Sequence, residues 1–265
     1  MTIGFIGCGN MAQAMIGGII KKQLCTEQDI IASAKTEATL NKVQGQYGIR
    51  VTLSNKEVVE QSDVVVLAVK PLYYEDVISE IRSSATKEQV FISIAPGKSL
   101  RWLADQFGSS EYKIVRTMPN TPALVGEGIT GVTPCDSMEE ADLQKVLTIL
   151  RSFGKAEVIA ESLMDVVVSV SGSSPAYVFM FIEAMADAAV ADGMPRAQAY
   201  TFASQAVLGS AKMVLETGMH PGELKDMVCS PGGTTIEAVR VLEEKGMRSS
   251  VIEAMKACTK KAKGC

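Results

Sequence analysis

Residues 2–12 read TIGFIGCGNMA, a short apolar run followed by a glycine-rich turn and the start of a helical stretch. In this context the pattern G-x-G-x-x-G/A, here Gly7 to Ala12, is informative for dinucleotide binding. Gly7 permits the tight turn, Gly9 lets the backbone approach a pyrophosphate, and Ala12 lets helix and strand pack closely. The helix N-terminus presents free N–H groups to the phosphates. The sequence therefore predicts a Rossmann-type cofactor loop, with a purely structural tight turn as the alternative.

The first part of the chain, to about residue 158, alternates short β-branched runs with helical stretches. Such alternation predicts βαβ units and a mostly parallel sheet. Helix starts are indicated by Asn10, by Pro71 and by a capping box of Ser137 and Glu140. The predicted strands are 3–6, 30–32, 64–69, 90–94 and 113–115, and the predicted helices lie near 11–22, 36–46, 72–83, 98–107 and 138–152.

Beyond about residue 160, Ala, Met, Leu and Glu dominate at helical spacing, and only the run Val166 to Val170 is ambiguous. We therefore predict an α/β protein with two domains. Residues 1–158 form the Rossmann-type domain with its mostly parallel sheet, and residues 159–265 form an all-helical domain for substrate binding and dimerisation. The predicted helices of the second domain lie near 174–192, 196–217, 221–228, 234–245 and 248–262.

The predicted helix 174–192 is apolar on most of its circumference, with Phe179, Met180 and Phe181 among its residues. A helix that is apolar all round must be buried all round. About a hundred residues are left in the second half to cover it, so we expect a second subunit to do part of the covering. Burial within one compact bundle is the alternative. Glu183 and Asp187 would be costly in lipid, which argues against a membrane span.

Composition excludes several classes of partner. A net charge of −4 over 265 residues, without a block of Lys or Arg, argues against nucleic acid and anionic membranes, so the expected partner is a small molecule. The six cysteines are scattered without a CxxC pair and there is one histidine, which argues against a metal site and favours reduced thiols. The N-terminus has no pattern of a signal peptide, and we expect a cytoplasmic protein.

The end of the second predicted strand bears on the choice of cofactor. An NAD-binding loop is expected to have Asp or Glu about 20 residues further on, where it binds the ribose 2′-hydroxyl. This chain has Ser33, Ala34 and Lys35 there instead. With a hydroxyl and an ammonium group available and no carboxylate to repel a 2′-phosphate, NADPH is the preferred cofactor and NADH the alternative. Lys35 as an ordinary solvated lysine is the competing interpretation.

Acid-base groups are scarce. His220 stands alone beside Pro221 and is interpreted as a loop residue, while Lys70 ends an apolar strand, where ligands bind but where a lysine needs no role. Two polar, glycine-rich turns, 171–177 and 230–235, each precede a helix. The second exposes backbone N–H groups and two hydroxyls, a preformed site for a carboxylate. Simple helix capping by Ser and Thr is the alternative for both turns.

These motifs together resemble those of the pyrroline-5-carboxylate reductase family, over nearly the whole chain. The resemblance is carried by residues 7–12, 68–71, 118–122 and 171–177, and by Asp226 with Ser230 to Thr235. It implies reduction of a cyclic imine, 1-pyrroline-5-carboxylate, to L-proline with NADPH in the last step of proline biosynthesis. It also implies a homodimer through the helical domain that can build a larger ring. Ser174 and Thr234 depart from residues common in the family.

The resemblance also implies roles for individual residues. Thr235 is expected to hydrogen-bond the ring nitrogen and is the candidate catalytic residue. The expected substrate-binding residues are Glu161, Ser230, Gly232, Gly233, Thr234 and Thr235. The expected cofactor-binding residues are Ile6, Gly7, Cys8, Gly9, Asn10, Met11, Ala12, Ser33, Lys35, Asn55, Ala68, Val69, Lys70, Pro71, Ile94 and Ala95, the last two on the nicotinamide side.

The scarcity of acids and bases fits this chemistry, because a protonated imine already carries the charge that makes its carbon accept hydride. The protein then mainly has to orient two ligands. Two alternatives remain open: a related imine or β-hydroxyacid reductase, and a non-catalytic NADP-binding sensor. A β-hydroxyacid enzyme is expected to place a lysine on the long helix after its Gly-x-x-Gly turn, and residues 175–191 contain none.

Overall fold

A computed structural model describes residues 1–264 of the chain. The described residues form two compact units. The first comprises Met1–Ser173 together with residues 258–264, and the second comprises Ser174–Ala257. Residues 159–173 thus pack with the first unit, although the boundary predicted from the sequence follows residue 158. That domain boundary remains a prediction.

The first unit is built on an eight-stranded sheet with the order β3-β2-β1-β4-β5-β6-β7-β8. Neighbouring strands are parallel except for β6 and β7, which are antiparallel. This arrangement confirms the predicted mostly parallel sheet. The strands are β1 (Ile3–Ile6), β2 (Ile30–Ser33), β3 (Arg50–Thr52), β4 (Val64–Leu67), β5 (Val90–Ser93), β6 (Lys113–Met118), β7 (Gly128–Pro134) and β8 (Gly154–Val158).

Helices cover both faces of this sheet. Because side chains alternate along a strand, Ile3 and Phe5 pack with α1 and α6 on one face, while Val65 and Leu67 pack with α3, α4 and α5 on the other. The helices of the first unit are α1 (Asn10–Lys21), α2 (Glu37–Tyr47), α3 (Asn55–Glu60), α4 (Tyr74–Ile81), α5 (Leu100–Phe107), α6 (Glu140–Leu150) and α7 (Met164–Val167).

The starts of these helices follow the sequence only in part. Pro71 opens the 3₁₀ turn that leads into α4, and Asn10 is the first residue of α1 after the N-cap Gly9, as predicted. The capping box predicted for α6 is wrong. The N-cap of that helix is Glu139, and the Ser137 hydroxyl instead donates to the carbonyl oxygen of Tyr112 at 3.0 Å.

Three strands and two short helices were not predicted from the sequence: β3, β7, β8, α3 and α7. The strand β3 is only three residues long and half-buried, and β7 contains two glycines. The strand β8 has the sequence GKAEV and lies at the edge of the sheet, where only Ala156 is buried. None of the three strands shows the continuous β-branched run of a buried parallel strand.

The second unit is helical, and its helices match the predicted positions closely. They are α8 (Ser174–Ala191), α9 (Arg196–Thr217), α10 (Pro221–Met227), α11 (Thr234–Glu244) and α12 (Met247–Ala262), the last of which ends in the first unit. The ambiguous run at 166–170 is helical, and residues 168–172 form a π-helical turn that leads into α8. The predicted glycine-rich turn at 171–177 is therefore wrong, because helical backbone continues through it.

Helix α8 leaves most of its apolar surface exposed within a single chain. Only Pro175 and Ala186 are buried, while Phe179 is 62% and Met180 is 69% exposed. Burial within one compact bundle is therefore wrong for this helix. The helical stretch Glu161–Ala191 is long and apolar enough to cross a membrane, judged by length and composition alone. The core helix of a soluble protein can meet the same two criteria.

Candidate functional site

The glycine loop lies where three neighbouring strands end. Gly7 has φ +100°, a conformation that side chains rarely allow, and its N–H donates to the Ser33 carbonyl at the end of β2 at 3.0 Å. A Cβ at this position would lie 2.7 Å from the carbonyl oxygen of Ala68, just beyond β4. The turn therefore requires glycine for its backbone conformation and for lack of space.

The space above the loop is open. A Cβ added at Gly9 would meet no atom within 4 Å, and no side chain among the described residues caps α1 at this N-cap. The first N–H groups of α1 are thus available to a ligand at the positive end of the helix. These observations fit the pyrophosphate of a dinucleotide, which needs close backbone approach and N–H donors.

Cys8 lies within the loop but is buried. Its Sγ lies 3.5 Å from the carbonyl oxygen of Ser33, and burial raises the pKa of the thiol from 9.0 to about 11. Because the thiolate is the reactive form of cysteine, this thiol is poorly reactive at neutral pH. Packing explains Cys8 better than redox chemistry.

A cavity of about 870 Å³ adjoins the loop. Many of the predicted cofactor residues line it: Gly7, Cys8, Gly9, Asn10, Lys35, Asn55, Ala68, Val69 and Lys70. Other predicted residues do not line it. Ile6, Ala12, Ser33 and Ala95 are buried in the core around it, and Met11, Pro71 and Ile94 are half-buried.

The cavity also has lining residues that sequence reasoning missed. Except for Leu53, which lies between β3 and α3, they lie on α1, α2 or α4 or shortly before them. They are Gln13, Ala34, Ala38, Thr39, Lys42, Leu53, Tyr73, Asp76, Val77 and Glu80. Hydrophobic periodicity gives the buried face of each helix, but it does not show which exposed residues border a ligand. No motif in the sequence could have identified them.

Asn55 is held in a chain of hydrogen bonds at the wall of this cavity. Its Oδ1 accepts from the Ser33 hydroxyl at 2.7 Å, and its Nδ2 donates to Glu80 Oε2 at 2.8 Å. Ser54 caps α3 by accepting from the Glu57 N–H, so Asn55 begins that helix. The amide of Asn55 is thus oriented by two different secondary-structure elements, β2 and α4.

Lys35 is exposed and reaches the cavity from the end of β2. Its ammonium group lies 5.9 Å from the centre of the Tyr73 ring, a distance at which a cation is attracted by an aromatic face. Lys42, one helical turn beyond Thr39 on α2, lines the same cavity. The structure thus provides two cations near the end of β2 where the sequence indicated one.

The polar turn at 230–235 lies in the second unit, before α11. Gly232 has φ +66°, and the Gly233 N–H donates to the Ser230 carbonyl at 3.0 Å. Gly233 is the N-cap of α11, and no side chain among the described residues caps that helix. Capping by Ser or Thr is therefore the wrong interpretation of this turn, whose N–H groups stay available to an anion.

The other predicted substrate residues differ in their surroundings. Thr235 is half-buried, whereas Ser230, Gly232 and Thr234 are exposed. Glu161 belongs to the first unit, and its Oε1 already accepts from the Leu100 N–H at 2.7 Å and from Arg116 at 3.1 Å. Residues 230–235 thus lie together in one turn, whereas Glu161 forms an ion pair with Arg116 within the first unit.

Two further candidates have local roles. His220 is the N-cap of α10, where its Nδ1 accepts from the Gly222 N–H at 3.0 Å, so it is a capping loop residue. Over residues 1–264, no group of three or more His, Cys, Asp or Glu side chains is placed to hold a metal ion.

The doubly wound sheet, the glycine loop and the adjoining cavity define the class of a dinucleotide-dependent oxidoreductase. The family models agree with this class. Residues 2–97 match the model for "NADP oxidoreductase coenzyme F420-dependent", and residues 161–265 match that for "Pyrroline-5-carboxylate reductase dimerisation".

Individual relatives identify the family. The pyrroline-5-carboxylate reductase of Escherichia coli is 57% identical over 98% of this chain and 96% of its own length. The solved structure of the enzyme from Coxiella burnetii is 34% identical, covers 99% of this chain and 97% of its own, and has a TM-score of 0.91. A Plasmodium falciparum pyrroline carboxylate reductase with NADP bound is 32% identical, covers 100% and 97%, and has a TM-score of 0.89. The chain belongs to the pyrroline-5-carboxylate reductase family.

Membership of this family bears on the exposed face of α8. The match to the dimerisation model covers the whole second unit and supports a homo-oligomer. A single chain leaves apolar side chains such as Phe179 and Met180 exposed, and an exposed apolar patch is typical of an interaction surface. The sequence-based expectation that another subunit covers α8 agrees with this match.

Proposed function

We propose that this protein reduces 1-pyrroline-5-carboxylate to L-proline with NADPH, as the last step of proline biosynthesis. The observation that carries the proposal is the presence, in one chain of this family, of two helix N-termini that are open to anions. One follows the glycine loop and suits a pyrophosphate, and the other follows the turn at 230–235 and suits a small carboxylate.

In the first unit, the N–H groups at the start of α1 hold the pyrophosphate, and Gly9 leaves room for it. Ala68, Val69 and Lys70 form the wall beyond β4, and Ile94 and Ala95 follow β5 on the nicotinamide side. When bound there, NADPH supplies a hydride. The protein's contribution is to fix the orientation of the cofactor and to exclude water from it.

In the second unit, the N–H groups of Thr234 and Thr235 bind the substrate carboxylate at the positive end of α11. The Thr235 hydroxyl hydrogen-bonds the ring nitrogen and fixes the plane of the ring. A protonated imine is already an electrophile, so the chain needs no strong general acid, and the capping role of His220 is consistent with this. Catalysis then depends mainly on orientation.

NADPH is the proposed cofactor, with NADH as the alternative. Lys35 is exposed at the cavity, two residues beyond Ser33, and the residues of β2 include no Asp or Glu. An ammonium group at this position favours a 2′-phosphate over a hydroxyl. Ser33 contributes by orienting Asn55.

The proposed assembly is a homodimer through the helical unit, with a larger ring as the further step, and the proposed location is the cytoplasm. The apolar residues of α8 supply the contact surface. Light scattering after size exclusion is expected to give a mass of at least two chains. Phe179→Glu, at an exposed position, is expected to lower that mass, while Glu253→Gln on the polar surface of α12 leaves it unchanged. A wild-type monomer at micromolar concentration would contradict the proposal.

The activity is tested by mixing the protein with 1-pyrroline-5-carboxylate and following the absorbance of NADPH. We expect oxidation of NADPH and formation of proline in equal amounts. The matched control is 1-pyrroline-2-carboxylate, which places the double bond differently and is expected to react more slowly. No oxidation above background with 1-pyrroline-5-carboxylate, in protein that still binds NADPH, would contradict the proposed reaction. Oxidation of NADPH with a β-oxoacid, the keto form of a β-hydroxyacid, but not with 1-pyrroline-5-carboxylate would indicate another reductase.

A further inference from the structure

The wall of the cofactor cavity contains a carboxylate that the sequence pattern does not predict. In an NAD-binding loop, an acid at the end of the second strand accepts a hydrogen bond from the ribose 2′-hydroxyl. Here β2 ends at Ser33 and is followed by Ala34 and Lys35, so that acid is missing from its usual place. From the sequence alone, nothing counteracts the preference of Lys35 for a 2′-phosphate.

The structure brings a carboxylate of a different element, Glu80, to the wall of the same cavity. Glu80 lies on α4, and its Oε2 accepts from Asn55 Nδ2 at 2.8 Å. Asn55 Oδ1 in turn accepts from the Ser33 hydroxyl at 2.7 Å. The carboxylate of Glu80 is therefore two hydrogen bonds away from the last residue of β2. It lines the same cavity as Gly9 and Lys35.

The remaining oxygen of this carboxylate is free to accept. Within the described residues, Glu80 Oε1 has no hydrogen-bond partner, whereas Oε2 is fixed by Asn55. The bond to Asn55 limits the positions that Glu80 can take, so a second acceptor is presented at the cavity wall in a restricted orientation. Asp76, one turn earlier on α4, lines the cavity without such a tether.

We infer that Glu80 is a specificity-determining residue, which accepts from a ribose 2′-hydroxyl and opposes a 2′-phosphate at the end of β2. The cavity then has opposed determinants: Lys35 and Lys42 attract the phosphate and Glu80 repels it. The preference for NADPH over NADH is set by the balance between the attraction of the two lysines for the 2′-phosphate and its repulsion by Glu80. This inference rests on the proposed use of a nicotinamide dinucleotide.

The experiment compares binding of NADP⁺ and NAD⁺, which differ only in the 2′-phosphate, to the full chain by titration calorimetry. The variant Glu80→Gln keeps the shape and an acceptor for Asn55 but removes the charge. We expect it to bind NADP⁺ about three- to tenfold more tightly and NAD⁺ more weakly, since a unit charge near a partly exposed site has an effect of this order. Glu75→Gln is the matched control, because Glu75 is exposed on α4 but does not line the cavity.

The possible outcomes separate three cases. A rise in the NADP⁺ to NAD⁺ affinity ratio in Glu80→Gln, with no change in Glu75→Gln, supports the inference. Parallel losses for both dinucleotides would mean that Glu80 only orients Asn55, and an unchanged ratio would mean that it has no effect on specificity; either result overturns the inference. If wild-type protein bound neither dinucleotide, the proposed function itself would fail. Turnover of the imine is not needed for any of these measurements.

Discussion

The glycine loop of the first unit and the glycine turn of the second are alike in design but differ in how they are supported. Both place a glycine with positive φ before a helix whose N-terminus no described side chain caps. Gly7 is enclosed, so that a Cβ would lie 2.7 Å from the Ala68 carbonyl oxygen. Gly232 has no atom within 4 Å of the equivalent position.

This difference shows what holds each anion site in shape. The loop at Gly7 is fixed by the packed ends of β1, β2 and β4, so its conformation is part of the core. The turn at Gly232 depends on the freedom of glycine itself and on the hydrogen bond from the Gly233 N–H to Ser230. We therefore expect the first site to be preformed and the second to adjust more readily to its ligand.

The largest expected effect tests this comparison directly. Gly7→Ala adds both backbone strain and a clash, and is expected to lower the free energy of unfolding by about 2–4 kcal/mol. Gly232→Ala adds strain alone and is expected to cost about 1 kcal/mol. Urea unfolding can be followed by the fluorescence of Trp102, the single tryptophan, which lies in the first unit, and by circular dichroism. If both variants lost the same free energy of unfolding, the two glycine turns would not differ in how their conformation is maintained.

The next effect concerns the chemistry of the second site. Thr235→Ala removes the hydroxyl proposed to contact the ring nitrogen but keeps the backbone N–H groups. We expect turnover to fall about 100-fold, because the hydrogen bond that orients the ring is lost, with the affinity for NADPH unchanged. Thr234→Ala is the matched control, because Thr234 is exposed and adjacent. Similar turnover in both variants would reduce Thr235 to an ordinary helix residue.

A smaller effect is expected at the cation of the first site. Lys35→Ala is expected to reduce the NADPH to NADH affinity ratio about tenfold, because a charge-assisted contact with the 2′-phosphate is lost. Lys21→Ala serves as the control, since Lys21 is exposed in the last turn of α1 and does not line the cavity. If the ratio measured by titration calorimetry stayed the same, Lys35 would be an ordinary solvated lysine.

The smallest expected effect comes from the burial of the first loop. Burial raises the pKa of the Cys8 thiol from 9.0 to about 11, so the folded chain keeps a proton that the unfolded chain loses between these pH values. The free energy of unfolding should therefore fall more steeply as pH rises from 9 to 11 than it does in Cys8→Ala. Below pH 9 this contribution is fully present. Parallel pH profiles for both proteins would contradict the protected thiol.

The sequence predicted those parts of the fold whose local pattern is strong. The buried strands β1, β2, β4 and β5 are continuous apolar runs, and α9 ends where Gly218 adopts the left-handed conformation. The strand β8 could not be recognised, since an edge strand of sequence GKAEV has no buried run. Likewise, Ser137 resembles a helix cap by its spacing to Glu140, but a tertiary hydrogen bond to Tyr112 decides its role.

The candidate site shows the same division. Gly7 and Gly9 could be found because their roles are local, in one turn of the backbone. The sequence could not predict the hydrogen bonds that link Ser33, Asn55 and Glu80, because these residues belong to three elements that are far apart in the sequence. For Phe179 and Met180, apolar periodicity shows only that the helix must be covered, and it was the small size of the second half that favoured a second subunit.

The path of the chain between the two units has one further consequence. The second unit leaves the first after Ser173 and the chain returns at Cys258, where the Cys258 thiol lies 3.3 Å from the Ser173 hydroxyl and the Thr259 hydroxyl donates to Ser169 at 2.8 Å. In terms of protein architecture, residues 174–257 are an insertion whose entry and exit points are adjacent, not an appended tail. Both of its boundaries are helical, because a π-helical turn leads directly into α8 and α12 runs through residue 257. A replacement module would therefore have to continue two helices of the host chain, which is a stricter requirement than closely spaced termini.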